Sequence, residues 1–196
     1  MANKFTVPDF SIIGKSIIEE AQRIGGTESV KFFKQSFVKE GFTDTSFTAW
    51  KKTTNPFAQR KTLYNNGTLM QSIRKVVDTP TRIVVESDTK YSEIHNNGGT
   101  ITVTRQMKKF FWAKFYEFSG KASQNKAGNA SKLTKSNRTI GGKAMYFKRM
   151  ALMPVGAKIK IPKRQFMGDS KAMMTIFEKE MKKHIDISFK NHLNNK

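Results

Sequence analysis

Residues 98–118 read GGTITVTRQMKKFFWAKFYEF, and the spacing of the apolar side chains changes within this stretch. First, Ile101 and Val103 alternate with threonines, which is the period of a half-buried strand. The aromatic residues that follow recur every three or four positions, which predicts an amphipathic helix with its lysines on the other faces. Those residues are Phe111, Phe115 and Phe118. The stretch therefore predicts a strand that leads directly into a helix.

The same stretch opens the most basic part of the chain. Residues 101–165 contain sixteen Lys or Arg and a single acidic residue, Glu117, which gives +15 of the total formal charge of +21. The remaining 131 residues carry 20 basic and 14 acidic groups, an ordinary mixture. A field of one sign attracts a polyanion and repels copies of itself. The composition therefore predicts contact with nucleic acid or with an acidic protein surface.

Helical spacing predicts two helices before this stretch. The first covers about residues 12–24 and is ended by Gly25-Gly26, and the second covers about residues 28–40 with Gly41 as its C-terminal stop. Trp50 is the expected packing anchor of the segment that follows. Further elements are a helical turn capped by Thr68, strands over 73–77 and 81–87, a short helix over about 90–96, a strand over 155–161 with one lysine-bearing face, and a last helix capped by Asp169 or Ser170.

This order predicts an α+β fold with a single antiparallel or mixed β-sheet packed by N-terminal and C-terminal helices. We expect residues 1–196 to form one domain. Within it, residues 105–154 form a long, basic and partly flexible insertion. Residues 119–143 are nearly free of large apolar side chains and rich in Gly, Ser, Asn and Lys. Such a composition buries too little surface to offset its ordering entropy, so we expect a flexible loop there.

Basic residues of this insertion and of the strand after it are the candidates for contact with DNA phosphates or with an acidic partner. They are Arg105, Lys108, Lys109, Lys114, Lys121, Lys126, Lys132, Lys135, Arg138, Lys143, Lys148, Arg149, Lys158 and Lys160. The aromatic and basic residues between 108 and 118 allow two interpretations, stacking on the bases of a single strand or the favoured amphipathic helix. Sequence-specific base recognition is not expected, because no helix-turn-helix, zinc-finger or RRM signature is present.

Enzymatic chemistry finds no support in the sequence. The chain has no cysteine, and its three histidines, His95, His184 and His192, stand in no metal-ligand or catalytic pattern. Gly14-Lys15-Ser16 imitates the end of a phosphate-binding loop but lacks the earlier glycine, because Asp9 occupies that position. We therefore expect no enzyme, no catalytic or metal-binding residue and no cofactor. No apolar run approaches the roughly 20 residues that span a bilayer, and we expect a soluble protein without membrane contact.

Three groups of residues, in this order, resemble the virion morphogenesis (tail completion) family of Mu-like phages and prophages. The first has a Leu–Gly–Leu–Ser–Ile pattern, the second a tyrosine and a histidine before Gly-Gly, and the third a Pro–Arg–Phe–Gly turn before a terminal helix. The matching residues are Leu63, Gly67, Leu69, Ser72 and Ile73; Tyr91, His95, Gly98 and Gly99; and Pro162, Arg164, Phe166 and Gly168. The resemblance covers roughly residues 1–104 and 155–190, and the long basic segment between them is not part of the motif.

The resemblance implies a non-enzymatic virion protein of the head–tail junction or the tail terminus. Its expected partners are further copies of itself in a hexameric ring, tail tube and head-connector proteins, and double-stranded DNA bound without sequence specificity. The expected location is the virion tail or neck, and the host cytoplasm during assembly. The matching residues themselves have fold-determining roles, with glycines at turns and Tyr91, Ile94 and His95 on one face of a short helix. The alternative that the charge leaves open is a free, non-specific nucleic-acid-binding protein.

Overall fold

A computed structural model describes residues 10–53, 61–120 and 135–194, with side chains throughout except at 135–138 and 192–194. The fold is α+β, as the sequence predicts. The elements in chain order are α1 (Phe10–Lys39), β1 (Gly41–Thr43), β2 (Phe47–Ala49), α2 (Thr68–Gln71), β3 (Ile73–Thr79), β4 (Arg82–Ser87), α3 (Ser92–Asn97), β5 (Gly99–Thr102), α4 (Arg105–Ser119), α5 (Lys135–Leu152), β6 (Lys158–Ile161) and α6 (Lys171–Asn194).

The chain forms two compact units, each assembled from segments that are far apart in the sequence. Unit 1 consists of Met1–Trp50, Asn66–Ser92 and Gln165–Lys196, and unit 2 consists of Lys51–Asn65 and Glu93–Arg164. Unit 1 therefore contains the first and last helices, and unit 2 contains most of the basic residues. That residues 1–196 form one domain stays a prediction.

The predicted break at Gly25-Gly26 is wrong, because α1 runs without interruption through both glycines. Their role is close packing. A Cβ atom on Gly25 would lie 2.7 Å from the Cδ1 atom of Ile83, and one on Gly26 would lie 2.5 Å from the Cδ atom of Lys75. Two glycines lower the stability of an isolated helix, and packing against the β3–β4 pair compensates for that loss.

The end of α1 also differs in detail from the prediction. Glu40, and not Gly41, adopts the left-handed conformation that follows the helix, with φ of 54°. Gly41 instead begins β1, where a Cβ atom would overlap the ring of Phe47 and lie 2.6 Å from the carbonyl oxygen of Thr48. The glycine is therefore required by the close β1–β2 pairing and does not end the helix.

An aromatic cluster forms the centre of unit 1. Phe37 is fully buried, and its ring centroid lies 5.4 Å from that of Trp50 and 5.1 Å from that of Phe166. The indole Nε1 of Trp50 donates a hydrogen bond of 2.7 Å to the carbonyl oxygen of Gln165. Trp50 is thus confirmed as a packing anchor, since it joins residues more than a hundred positions apart.

The strands do not form the single sheet that we predicted. All pairings among the described residues are antiparallel and belong to three two-stranded sheets, β1–β2, β3–β4 and β5–β6. In unit 1, α1 packs against β1, β3 and β4. A helix, and not further strand hydrogen bonding, therefore joins the first two pairs.

The terminal helix is close to its prediction. Ser170 caps α6, because its hydroxyl oxygen accepts a hydrogen bond of 3.1 Å from the backbone amide of Met173. The same hydroxyl donates to the carbonyl oxygen of Thr43 at 2.8 Å, so the cap also ties α6 to β1. Along α6, Phe177, Met181 and Ile185 are half-buried, whereas Met174 is 49% exposed.

Candidate polyanion-binding surface

The two strands of unit 2 pair as an antiparallel ribbon. Strand β5 leads out to the helices α4 and α5, and β6 returns from them. The cross-strand partners are Thr100 with Lys160 and Thr102 with Lys158, and all four side chains are exposed. Between them, Ile101 and Ile159 are partners whose side chains are half-buried. The predicted lysine-bearing face of β6 is therefore confirmed, and the outward face of the ribbon combines two ammonium groups with two hydroxyl groups.

Helix α4 begins directly after this ribbon, as predicted. Thr104 caps it, because its hydroxyl oxygen accepts a hydrogen bond of 3.1 Å from the amide of Met107. The ring centroids of Phe111 and Phe118 lie 6.3 Å and 5.7 Å from that of Phe147 in α5. The favoured interpretation of the aromatic run, an amphipathic helix, is thus confirmed for the face that packs against α5.

The predicted flexible loop over residues 119–143 is wrong at its C-terminal end. Helix α5 begins at Lys135 and continues through residues that composition assigned to the loop. Ala144, Phe147 and Ala151 are buried, and Ile140 is half-buried four positions before Ala144. The small alanines let α4 approach closely, so the contact with α4 supports a helix that the local composition disfavours.

The basic candidates divide by their surroundings. Three of them interact within unit 2: the ammonium nitrogen of Lys114 lies 2.6 Å from the carboxylate of Glu117, and those of Lys143 and Lys148 lie 5.9 Å and 5.8 Å from the ring centroids of Phe118 and Phe115. Five others have exposed side chains. They are Arg105, Lys109, Arg149, Lys158 and Lys160.

The remaining candidates contribute less to the described surface. The side chain of Lys108 is half-buried on α4. Lys135 and Arg138 lie within α5, where only the backbone is described. Lys121, Lys126 and Lys132 lie outside the described residues.

The division into units separates the charge more sharply than the sequence window did. Unit 2 contains 20 Lys or Arg and two acidic residues, Glu93 and Glu117, a formal charge of +18. Unit 1 contains 16 basic and 13 acidic residues, a formal charge of +3. Tertiary structure thus adds basic residues from a remote segment, including Lys51, Lys52 and Lys61, to the basic unit. Local charge counting could not find them, because nothing in the sequence links that segment to residues 93–164.

Two other residues missed by sequence reasoning are Thr100 and Thr102. Their alternation with apolar residues was the available signal, because it places both hydroxyls on the outward face of the strand. The sequence does not reveal that this face lies beside the lysines of β6. That proximity follows from the register, in which the strands pair across an insertion of more than fifty residues.

The first group of motif residues shapes unit 1 at α2 and β3. Gly67 is the N-terminal cap of α2 with φ of 84°, so the predicted cap by Thr68 is wrong, although the helical turn is present. Leu69 and Ile73 are buried. The hydroxyl of Ser72 lies 2.8 Å from the carbonyl oxygen of Leu69 and 2.6 Å from the hydroxyl of Ser87. Leu63 belongs to unit 2, where it has a positive φ of 59°.

The second group does not share one helix face. Tyr91 precedes α3, and its side chain is 44% exposed, so its predicted place on the helix face is wrong. Ile94 and His95 lie within α3 and are half-buried. Gly98 has φ of 74°, and a Cβ atom there would lie 2.8 Å from the backbone nitrogen of Lys163. Gly99 follows it as the first residue of β5.

The third group straddles the boundary between the units. Pro162 and Arg164 belong to unit 2, whereas Phe166 is buried in unit 1 and Gly168 follows with φ of 137°. Arg164 is buried, and its Nε donates a hydrogen bond of 2.9 Å to the carbonyl oxygen of Lys51. Its guanidinium therefore holds two remote segments of unit 2 together and does not belong to the exposed basic surface.

A backbone hydrogen bond connects the second and third motif groups within unit 2. The backbone amide of Arg164 donates a hydrogen bond of 2.8 Å to the carbonyl oxygen of His95. Burial and, to a lesser degree, the charge of Arg164 hold the pKa of His95 below its ordinary value of 6.5. Burial also lowers the pKa of Arg164. These two groups are thus structural parts of unit 2.

Among the described residues, no group of three or more His, Asp or Glu side chains is placed to hold a metal ion. Nor does the described part of the chain contain a helix with the length and apolarity needed to cross a membrane. No protein-family model, curated protein or solved structure matches the chain.

Proposed function

We propose that the chain is a non-enzymatic phage assembly protein of the head–tail junction or tail terminus, of the tail-completion type. In this proposal, it forms an oligomeric ring, unit 1 supplies the frame of each copy, and unit 2 faces a polyanion. Tail tube and head-connector proteins are the neighbours that the proposal assigns to it.

One observation carries this proposal: motif residues occupy structural positions, and the exposed charge lies elsewhere. Ile73, Arg164 and Phe166 are buried, and Gly67 and Gly98 adopt left-handed conformations. Residues with such roles specify a fold and leave the surface free to vary. In a ring, the +18 of unit 2 would make neighbouring copies repel one another, and a polyanion facing this charge would offset the repulsion.

Electron microscopy of the purified protein, alone and co-expressed with the products of the genes adjacent to its own, tests this proposal. We expect ring-shaped particles and co-purification with a tail or connector protein. A protein that remains monomeric in both preparations and co-purifies with no virion component would contradict the assembly function.

A second candidate is the free, non-specific nucleic-acid-binding protein. The observation that favours it is the segregation of charge, since such a protein needs one strongly basic surface and no ring. It predicts tight, salt-sensitive binding by a monomer or dimer. Particle mass measured with and without DNA, by light scattering or mass photometry, separates the two candidates.

A further inference from the structure

We infer that the outward face of the β5–β6 ribbon binds the phosphates of duplex DNA without reading the base sequence. This ribbon face consists of Thr100, Thr102, Lys158 and Lys160. The inference rests on the polyanion contact of unit 2 in the proposed function, and it specifies both the surface and the partner.

The geometry of the ribbon face is regular. Its two lysines are two residues apart on β6, so their Cα atoms are separated by about 6.8 Å along the strand. Each lysine stands opposite a threonine of β5, and the Cβ atoms of such cross-strand pairs are roughly 5 Å apart. An ammonium group and a hydroxyl group thus occur side by side twice along the ribbon. Both are groups that bind phosphate oxygens in protein–DNA complexes.

Among the described residues, neither Lys158 nor Lys160 takes part in an ion pair. The acidic residues of the unit are Glu93 and Glu117, and the carboxylate of Glu117 pairs with Lys114 on α4. Lys143 and Lys148 lie over phenylalanine rings, whereas the side chains of Lys158 and Lys160 are exposed. Each ribbon lysine can therefore neutralise a phosphate and release cations condensed on the DNA, which is the main source of non-specific DNA affinity.

The composition of the ribbon face favours DNA over an acidic protein as its partner. The central part of a protein–protein interface is apolar, with aromatic residues, Met and Arg enriched and lysine depleted. The ribbon face has no apolar side chain, because Ile101, Ile159 and Ile161 alternate onto the half-buried side. Lysine is a flexible point charge without the planar fork of arginine, so it suits phosphate contact more than recognition of a particular base. A two-stranded ribbon also has the width that the major groove admits.

Binding of the full-length protein to a fluorescent duplex, measured by anisotropy over a series of salt concentrations, tests this inference. In the double variant Lys158→Gln/Lys160→Gln, we expect the slope of log affinity against log salt to fall in magnitude by about 1.8, since each phosphate contact contributes about 0.9. The matched control is Lys179→Gln/Lys182→Gln on α6 of unit 1, where both side chains are exposed and the net charge changes equally. The control is expected to keep the wild-type slope.

Two further measurements test whether the charge of the ribbon, and not its fold or a base preference, governs binding. The variant Lys158→Arg/Lys160→Arg keeps both charges and is expected to keep the wild-type slope, and circular dichroism checks that each variant is folded. Two duplexes of equal length and unrelated sequence are expected to bind with equal affinity, whereas a preference of more than about tenfold for one of them would contradict phosphate-only contact.

The outcomes also separate this inference from the proposed function. If the wild type binds duplex DNA but the ribbon variant keeps its slope, or the α6 control loses as much, the ribbon inference is overturned. If the wild type shows no salt-sensitive binding to duplex DNA, the choice of DNA is overturned, and an acidic protein surface becomes the partner of unit 2. Neither result bears on ring formation and co-purification, which test the head–tail junction function.

Discussion

Unit 1 and unit 2 use their lysines and aromatic rings in different ways. Unit 1 contains the aromatic cluster of Phe37, Trp50 and Phe166 and two long helices that pack against each other, and its basic and acidic residues nearly cancel. Unit 2 packs two helices through Phe147 and carries a formal charge of +18. Unit 1 is thus built for a stable interior, whereas unit 2 accepts uncompensated charge that an external polyanion can neutralise.

The largest expected effect tests the interior of unit 1. We expect Phe37→Ala to lower the free energy of unfolding by about 3–5 kcal/mol, because it removes a fully buried ring between two aromatic neighbours. Denaturant titration followed by circular dichroism measures the change. Phe10→Ala is the control, since its side chain is 59% exposed and its loss is expected to cost less than about 0.5 kcal/mol. Equal effects would contradict the assignment of the core.

A smaller effect tests the uninterrupted helix that packs on β3–β4. We expect Gly25→Val to destabilise the protein by about 1–3 kcal/mol, because the added atoms overlap Ile83 and crowd Phe177. Gly14→Val lies in the same helix with no atom near its Cβ position, and we expect it to be neutral or slightly stabilising. If thermal denaturation shows the same shift for both variants, close packing is not the reason for Gly25.

The lysines that lie over rings in unit 2 test the opposite side of the comparison. Lys148→Met keeps most of the apolar stem but removes the charge over Phe115, and we expect a loss of about 0.5–1 kcal/mol. Lys109→Met, at an exposed position of α4, is the matched control and is expected to change stability by less. Denaturant titration followed by the fluorescence of Trp112, in a Trp50→Phe background, reports on unit 2. A neutral Lys148→Met would show that the cation–π contact adds nothing measurable.

Acidification is expected to affect the two units in different pH ranges. In unit 2, burial holds the folded-state pKa of His95 below 6.5. The contribution of His95 to stability is therefore complete above pH 6.5 and is lost as pH falls from 6.5 through the folded-state pKa. In unit 1, the hydrogen bond from Arg23 is the main reason that the pKa of Glu20 is held below 4.5, and His184 adds to it. The contribution of Glu20 is therefore lost only as pH falls below 4.5.

Each unit contains one tryptophan, which makes this order measurable. Trp50→Phe and Trp112→Phe variants leave a single fluorophore in unit 2 and in unit 1, respectively. In denaturant titrations at pH 7, 5.5 and 4, we expect the free energy of unfolding reported by Trp112 of unit 2 to fall at a higher pH than that reported by Trp50 of unit 1. The substitution His95→Gln is expected to remove the loss between pH 7 and 5.5, and a loss that persists in this variant would assign it to another group.

Several local features could be predicted because they follow from short-range periodicity and capping. The structure contains the strand that the threonine alternation before Thr104 indicates, the helix that begins at Arg105 and the cap at Ser170. Other features could not be predicted. Gly25-Gly26 indicated a break because glycine weakens an isolated helix. Residues 135–143 indicated a loop because Ile140 is their single large apolar residue. In both places, tertiary packing outweighs local propensity.

The sequence by itself determined the α+β class, the anchor role of Trp50 and the concentration of charge after residue 100, because composition and periodicity are local properties. Only the tertiary structure decided which residues share a surface. The strand register brings Thr100 and Thr102 beside Lys158 and Lys160, and chain topology adds a remote segment to the basic unit. The physical reason is that cross-strand pairing and helix contacts depend on groups far apart in the chain, whose proximity no local pattern encodes.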